Sequence, residues 1–409
     1  MFYGWYIVAA SVLITVFNGG IVSYGFTAFV NPIAATFGWS YAQIALAMSL
    51  RGVETGVLNP LLGIVIDRWP PNRLVLIGVI VFGLGLLCLS QVTNMVMFYT
   101  SFLIIALGSS LAAFMVPTIM VARWFRRDVG KASGVLAMGI GIGGVLLPLL
   151  VKMIDTYGWQ NVLIVLAVGI CVLGIPISFV FRSRPEDYGL TPDGKPQDDL
   201  KGSSSLRVYD FSTGVKEALK MRAFWYIGIA LMFQMAAMAA LTVHIMPYLV
   251  SIGMERSLAG MVAMLVPLAS LATRIPSGFL TDIFKKKYIL ALSCGLIGVG
   301  SFLFWLTDGS SFGLTLLAAI TLGCGAGGAI PSRVPILREY FGTKNFGVIF
   351  GLISIFITIG LISSPPLAGW VFDTLGVYDP IWLILGGVAM LGAIVILNLP
   401  SPSRVGAEN

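Results

Sequence analysis

Charge is what this sequence has least of. Only 11% of its 409 residues are charged, 57% are hydrophobic, and the mean hydropathy is +0.94. An ordinary soluble domain carries about a quarter charged residues, so this chain cannot cover itself with polar surface in water. There is one histidine, His244, and there is no His/Asp/Glu cluster, nucleophile elbow or metal-ligand spacing. An enzyme, a metal centre and a cofactor are therefore not expected. The four cysteines, Cys88, Cys171, Cys294 and Cys324, fall inside apolar stretches, which excludes a disulfide framework and predicts buried, inert thiols. No phosphate-cradling P-loop is present, which argues against ATP-driven chemistry. No basic segment precedes the first apolar run at Trp5, so no cleavable leader is expected.

What the chain does have is apolar runs long enough to cross a bilayer, many times over. Read against their breaks, they predict twelve helices, near 5–30, 40–66, 74–93, 96–121, 131–153, 159–181, 222–250, 257–281, 288–307, 311–337, 346–371 and 379–399. Ser40 and Gln43 have capping-box spacing at the second start, and Ser257 stands at the eighth. The longest polar segment holds Pro185, Pro192, Pro196 and the run Gly202 to Ser205. It reads as a linker, 182–221, between six-helix bundles at 1–181 and 222–409, with a short surface helix near Thr213 to Lys220. The fold class expected is an all-α membrane protein of twelve transmembrane helices in two six-helix halves.

Of the 25 Lys and Arg, all but Arg51, Lys152, Arg256 and Arg274 fall in loops after even-numbered helices, in the linker or in the tail. The positive-inside rule then places both termini and the linker in the cytoplasm, in a multi-pass cell membrane protein. The net charge of +7 is topology rather than a nucleic-acid site.

The second half repeats the first. Trp5-Tyr6-Ile7 recurs as Trp225-Tyr226-Ile227, and Gly63-x-x-x-Asp67 as Gly278-x-x-x-Asp282. Gly130-x-x-x-Gly134 recurs as Gly347-x-x-x-Gly351, Pro148 as Pro365, and Asp155-Thr156-x-Gly158 as Asp373-Thr374-x-Gly376. The matches keep one order and a nearly constant offset, at equivalent span ends. Duplicated halves are expected.

Three charges stand well inside predicted spans: Arg51 and Glu54 in the second, Arg274 in the eighth. Each costs at least about 2.5 kcal/mol at the bilayer centre unless it is paired or hydrated. Arg274 lies eight residues before Asp282, so about 12 Å inside the boundary. It has no acidic residue at i±3 or i±4; Ser270 precedes it by one turn. Such a guanidinium is suited to a ligand carboxylate, and a structural pairing with helix carbonyls or Glu54 is the alternative. At the repeat offset of 215, Arg274 corresponds to Asn59, which should face the same cavity. Arg51 and Glu54, three apart, can form a structural ion pair, or serve as an outer gate or proton-linked switch.

His244 lies three residues before Pro247, and its repeat partner is Tyr24. It reads either as a hydrogen-bonded packing residue or as a group for proton coupling and substrate contact. Asn18 and Gln234 are further polar candidates. The glycine clusters at 139–144 and 323–328 are expected to permit close helix contacts. Asp67 with Arg68 and Arg73, and Asp282 with Lys286, are expected to latch the cytoplasmic gate.

Along its whole length the sequence resembles the major facilitator superfamily, through the segment Gly63 to Arg73 and its twin Gly278 to Lys287. Within it, Gly4-Trp5-Tyr6 and the run Trp124-Phe125-Arg126-Arg127 with Gly130-Lys131-Ala132-Ser133-Gly134 are similar to signatures of the monocarboxylate transporter group. The chain looks like a bacterial homologue of that group, related to oxalate–formate exchangers. The resemblance implies a substrate arginine in the eighth helix, matched by Arg274, and cavity-lining first and seventh helices. Animal members have an aspartate where Ser270 stands and a lysine in the first helix. The exchangers have a lysine in the eleventh, which here is free of basic residues. The expected function is a secondary carrier for a small, lactate- or pyruvate-like monocarboxylate, moved with a proton by alternating access and working as a monomer. Organic-anion exchange of the oxalate–formate type is the alternative.

Overall fold

The computed structural model of the chain describes residues 2–23, 25–39, 41–194, 213–307 and 311–400. Among them there is no strand. The helices are α1 (Gly4–Asn18), α2 (Phe26–Phe37), α3 (Tyr41–Arg68), α4 (Pro71–Ser90), α5 (Met95–Ser109), α6 (Val116–Trp124), α7 (Val129–Val145), α8 (Leu147–Tyr157) and α9 (Trp159–Ser178). They continue as α10 (Val215–Lys220), α11 (Arg222–Ser251), α12 (Arg256–Ile283), α13 (Lys286–Trp305), α14 (Phe312–Phe341), α15 (Phe346–Leu375) and α16 (Asp379–Leu397). Π-helical turns, Gly19–Ser23 and Ser110–Met115, extend α1 and join α5 to α6.

Among the described residues, ten helical stretches are long and apolar enough to cross a membrane. The pair α7 and α8, bent by 43°, is an eleventh where the two are taken as one broken span. The remaining expected span, α3, is 28 residues long but falls short in apolarity, because Arg51, Glu54 and Asn59 lie in its middle. The first expected helix is two, α1 and α2; Tyr24, between them, lies outside the described residues, as do Ser40, the tail with Arg404, and residues 195–212 of the linker. The short helix expected near Thr213 is α10, whose start is closed by Glu217 accepting the Gly214 N–H at 2.8 Å.

Outward positions carry large apolar side chains, such as Phe179, Val172 and Leu367, while small residues such as Gly78, Gly143, Gly325, Ser11 and Ser301 are among the buried ones. This is the pattern expected of helices whose solvent is hydrocarbon and whose contacts are made by small residues. Buried hydroxyls return to their own helices: Ser11 donates to the Ile7 carbonyl and Thr15 to the Ser11 carbonyl. Of the cysteines, only Cys294 is fully buried; Cys88, Cys171 and Cys324 are half-buried, which corrects the expectation of four buried thiols.

The repeated Asp-Thr-x-Gly ends α8 and α15 on glycines of positive φ, though only the second is in the left-handed helical region: Gly158 has φ 80° and ψ 149°, Gly376 φ 72° and ψ 2°. Thr156 and Thr374 donate to carbonyls four residues back, of Lys152 and Trp370.

The chain divides into two compact units. The first comprises Met1–Tyr209 with Phe346–Gly351, the second Asp210–Asn345 with Leu352–Asn409. The opening turns of α15 thus group with the first unit, outside the bounds expected for the halves.

Candidate functional site

In the second unit, Arg274 is the nineteenth residue of α12 and only 6% exposed. Its helix is fastened to α14 around it. Thr273 Oγ1 donates to the Ala269 carbonyl at 2.9 Å and to the Cys324 carbonyl at 3.3 Å. Ser277 Oγ donates to the Arg274 carbonyl at 3.0 Å and to the Gly327 carbonyl at 3.4 Å. A methyl group at Gly327 would overlap Thr273, and one at Gly323 would overlap the Val266 carbonyl. Two glycines therefore let α14 ride close against α12, and the backbone carrying Arg274 is held rigidly. Ser270, one turn earlier, is buried as well.

His244 on α11 is half-buried, with Nε2 3.0 Å from the Pro365 carbonyl. Gln234 is fully buried; its Nε2 donates to Ser293 Oγ at 3.0 Å, and its Oε1 has no protein partner. Asp282 is half-buried at the end of α12. Lys286, expected beside it, pairs with Glu339 at 3.6 Å.

In the first unit, Asp67 ends α3 and makes three contacts at once. Its Oδ1 takes Arg123 Nη2 at 2.8 Å and the Gly347 N–H at 3.3 Å; its Oδ2 takes the Val348 N–H at 3.3 Å. A carboxylate at the start of α15 meets both free amide groups and the positive end of the helix dipole. Arg68 and Arg73, expected as its partners, are exposed, so Arg123 corrects that assignment. The glycines explain the approach. Cβ atoms built at Gly63, Gly347 and Gly351 would strike the Gly347 carbonyl, the Gly63 carbonyl and the Asn59 carbonyl. Asn59, Gly63 and Asp67, spaced four apart, thus form one face of α3 against two turns of α15. Asn59 is fully buried, and neither amide atom has a protein partner.

Gly351→Ala is expected to be poorly tolerated, because the neighbours at 2.5–2.8 Å are backbone atoms of Asn59 and Pro60. Overpacking of this kind costs about 1–3 kcal/mol, read as a lowered melting temperature of the purified protein. An unchanged melting curve would mean that α15 does not pack here.

Asn18 is buried at the end of α1, its Oδ1 without a protein partner. Glu54 is half-buried, and the Arg51 side chain lies outside the described residues. The glycines of 139–144 do make close contacts: Gly139 faces Thr15, and Gly143 faces Val16 and Gly20. The two signature segments meet in one cluster. Trp5 packs on Phe125 at 5.0 Å, Tyr3 on Trp124 at 5.4 Å, and Trp124 Nε1 donates to the Arg182 carbonyl at 3.0 Å. Arg182 stacks over Tyr3 at 4.1 Å and Tyr188 at 4.6 Å. Asp193 accepts the backbone N–H of Arg126 at 3.0 Å and of Arg127 at 2.7 Å.

Two buried arginines escape a reading that assigns basic residues near even-helix ends to loops: Arg123, and Arg333 on α14, 6% exposed with Nε lacking a protein partner. Their flanking apolar runs were the available signal. A cleft of about 380 Å³ among α11, α15 and α16 in the second unit is lined almost wholly by apolar residues and contains none of these groups. Among the described residues no cluster could hold a metal ion.

Membrane-length helices, glycine-mediated crossings and a few buried charges define a polytopic helical carrier. The family model of the Major Facilitator Superfamily matches residues 11–265 and 245–409, and the chain belongs to that superfamily. It is a membrane transporter rather than an enzyme. Monocarboxylate transporter 12 of Rattus norvegicus is 24% identical over 424 residues, covering 96% of this chain and 85% of the relative. Human monocarboxylate transporter 10 is 25% identical, covering 83% of this chain and 66% of the relative. In fold, the proton:xylose symporter XylE superposes with a TM-score of 0.76 at 12% identity, covering 99% of each chain. The human organic anion transporter MFSD10 superposes with a TM-score of 0.71 at 13% identity, covering 96% of this chain and 98% of the other.

Proposed function

We propose that this chain is a secondary carrier for a small monocarboxylate, lactate- or pyruvate-like, moved together with a proton by alternating access. The observation that carries the reading is Arg274, a guanidinium buried in a membrane-length helix whose backbone is locked by a glycine crossing. Its planar fork is the group that could hold a carboxylate through two parallel, charge-assisted hydrogen bonds. Ser270 is the hydroxyl one turn away, and Asn18 and Asn59 are buried amides with unused hydrogen-bonding atoms on the first unit's helices. The curated relatives named monocarboxylate transporters support the same class. Uptake of labelled monocarboxylates into proteoliposomes, with the uncharged amide of the same acid as control, tests it. No saturable uptake of any acid would sink it.

Exchange of two organic anions, of the oxalate–formate type, is the second reading. Arg333 favours it, as a second buried cation in the same unit that could answer a second carboxylate. Counterflow measured with and without a pH gradient separates exchange from symport. Glu54 is the acidic candidate for the proton, with Arg51 three residues before it.

The Asp67 contacts read as a latch that keeps the start of α15 against α3 on the cytoplasmic side; Asp282 marks the equivalent point of the second half. Both termini and the linker are cytoplasmic in this reading. A Ser204→Cys variant should then react with an impermeant thiol reagent only after the cell membrane is opened. Reaction in intact cells would invert the topology.

A further inference from the structure

Helix α15 carries two adjacent prolines, Pro365 and Pro366. Neither has an N–H, so the carbonyls of Leu361 and Ile362 lose their intrahelical donors, and the helix is weakened there. His244 of α11 sits on this weak point. Its Nε2 is 3.0 Å from the Pro365 carbonyl, and a Cβ built at Gly369, one turn further on, would lie 3.7 Å from its Cε1. The ring of Tyr378 packs beside it at 5.8 Å, tilted by 51°. The imidazole is thus held against the turn 365–369, with its polar edge on a backbone carbonyl.

A carbonyl only accepts, so Nε2 carries the hydrogen. It does so both in the neutral Nε-protonated tautomer and in the imidazolium. The bond therefore persists whether the ring holds one proton or two, which suits an anchor better than a proton carrier. We infer that His244 is a positioning residue that pins the proline break of α15 to α11. The inference rests on the carrier reading above. Its consequence for that carrier lies in α15 itself: the helix whose first turns are capped by Asp67 is fastened again at its break, so movement at the cap is transmitted along a helix of defined shape.

The test compares His244→Gln with His244→Leu in purified protein and proteoliposomes. The glutamine amide nitrogen can reach the place of Nε2 and donate, but it does not titrate. Leucine fills similar space and leaves the carbonyl without this donor. Glutamine is expected to keep the wild-type melting temperature, counterflow rate and pH dependence of accumulation. Leucine is expected to lower the melting temperature and to slow counterflow by about tenfold with KM little changed, the scale of one lost hydrogen bond. A glutamine variant that retains counterflow but no longer accumulates substrate on a pH gradient would overturn the inference and make His244 the proton site. Leucine indistinguishable from wild type, or glutamine as damaged as leucine, would overturn it too. The melting comparison needs no substrate, so this inference and the carrier reading can fail separately.

Discussion

Arg274→Ala is expected to weaken equilibrium binding of a small monocarboxylate by at least about 30- to 150-fold, or about 2–3 kcal/mol, the scale for truncating one member of a buried, hydrogen-bonded charge pair. The guanidinium is buried, so a bound carboxylate would exchange water for a planar fork, and its loss strands a desolvated anion. Arg274→Lys should recover only part of the affinity, because an ammonium keeps the charge but not the two parallel bonds. The amide of the same acid should bind wild type poorly. Isothermal titration or ligand-induced melting shifts on the purified protein measure all three. Wild-type affinity in the alanine variant would make Arg274 structural and move the site elsewhere.

Asp67→Asn is expected to slow transport about tenfold or more while outer-side ligand affinity changes less than about twofold, because a gate contact differs between states and a ligand contact does not. The physical ground is the buried Asp67–Arg123 pair at 2.8 Å. Breaking such a pair by neutralising one partner costs about 3–5 kcal/mol, because the other charge is left uncompensated. Asparagine can still accept from one amide of α15, but it cannot neutralise Arg123. The double change Asp67→Asn with Arg123→Gln should therefore recover stability relative to Asp67→Asn alone. Asp282→Asn is expected to act in the same direction. Loss of equilibrium binding in either aspartate variant would refute the gate assignment.

Much of this molecule was legible in its sequence because the bilayer imposes a simple rule. Every backbone polar group must be satisfied within its own helix, so apolar run length reads out as helices, and the few charges inside them stand out. Arg274 and His244 stand out that way, and the repeat offset nominates Asn59 from Arg274. The Asp-Thr-x-Gly pair was visible as a repeat, and the positive φ of both its glycines explains why glycine recurs there. Run length did not reveal that the first span is interrupted, or that α7 and α8 are bent by 43°, since apolar composition continues through both places.

Tertiary structure alone decided the partners. Sequence proximity nominated Arg68 and Arg73 for Asp67, yet the chain brings Arg123 to it from 56 residues away, together with two amides of α15 from 280 and 281 residues away. The glycines at 63, 347 and 351 are small in any reading; only packed helices show that a methyl group there would strike a backbone. His244 had two readings that composition could not separate, and the carbonyl it meets belongs to a residue 121 positions away. The physical reason is the same in each case. Helix formation and membrane placement depend on local composition and period, whereas a buried polar atom is satisfied by whatever the packing brings within 3 Å, and that depends on the whole chain.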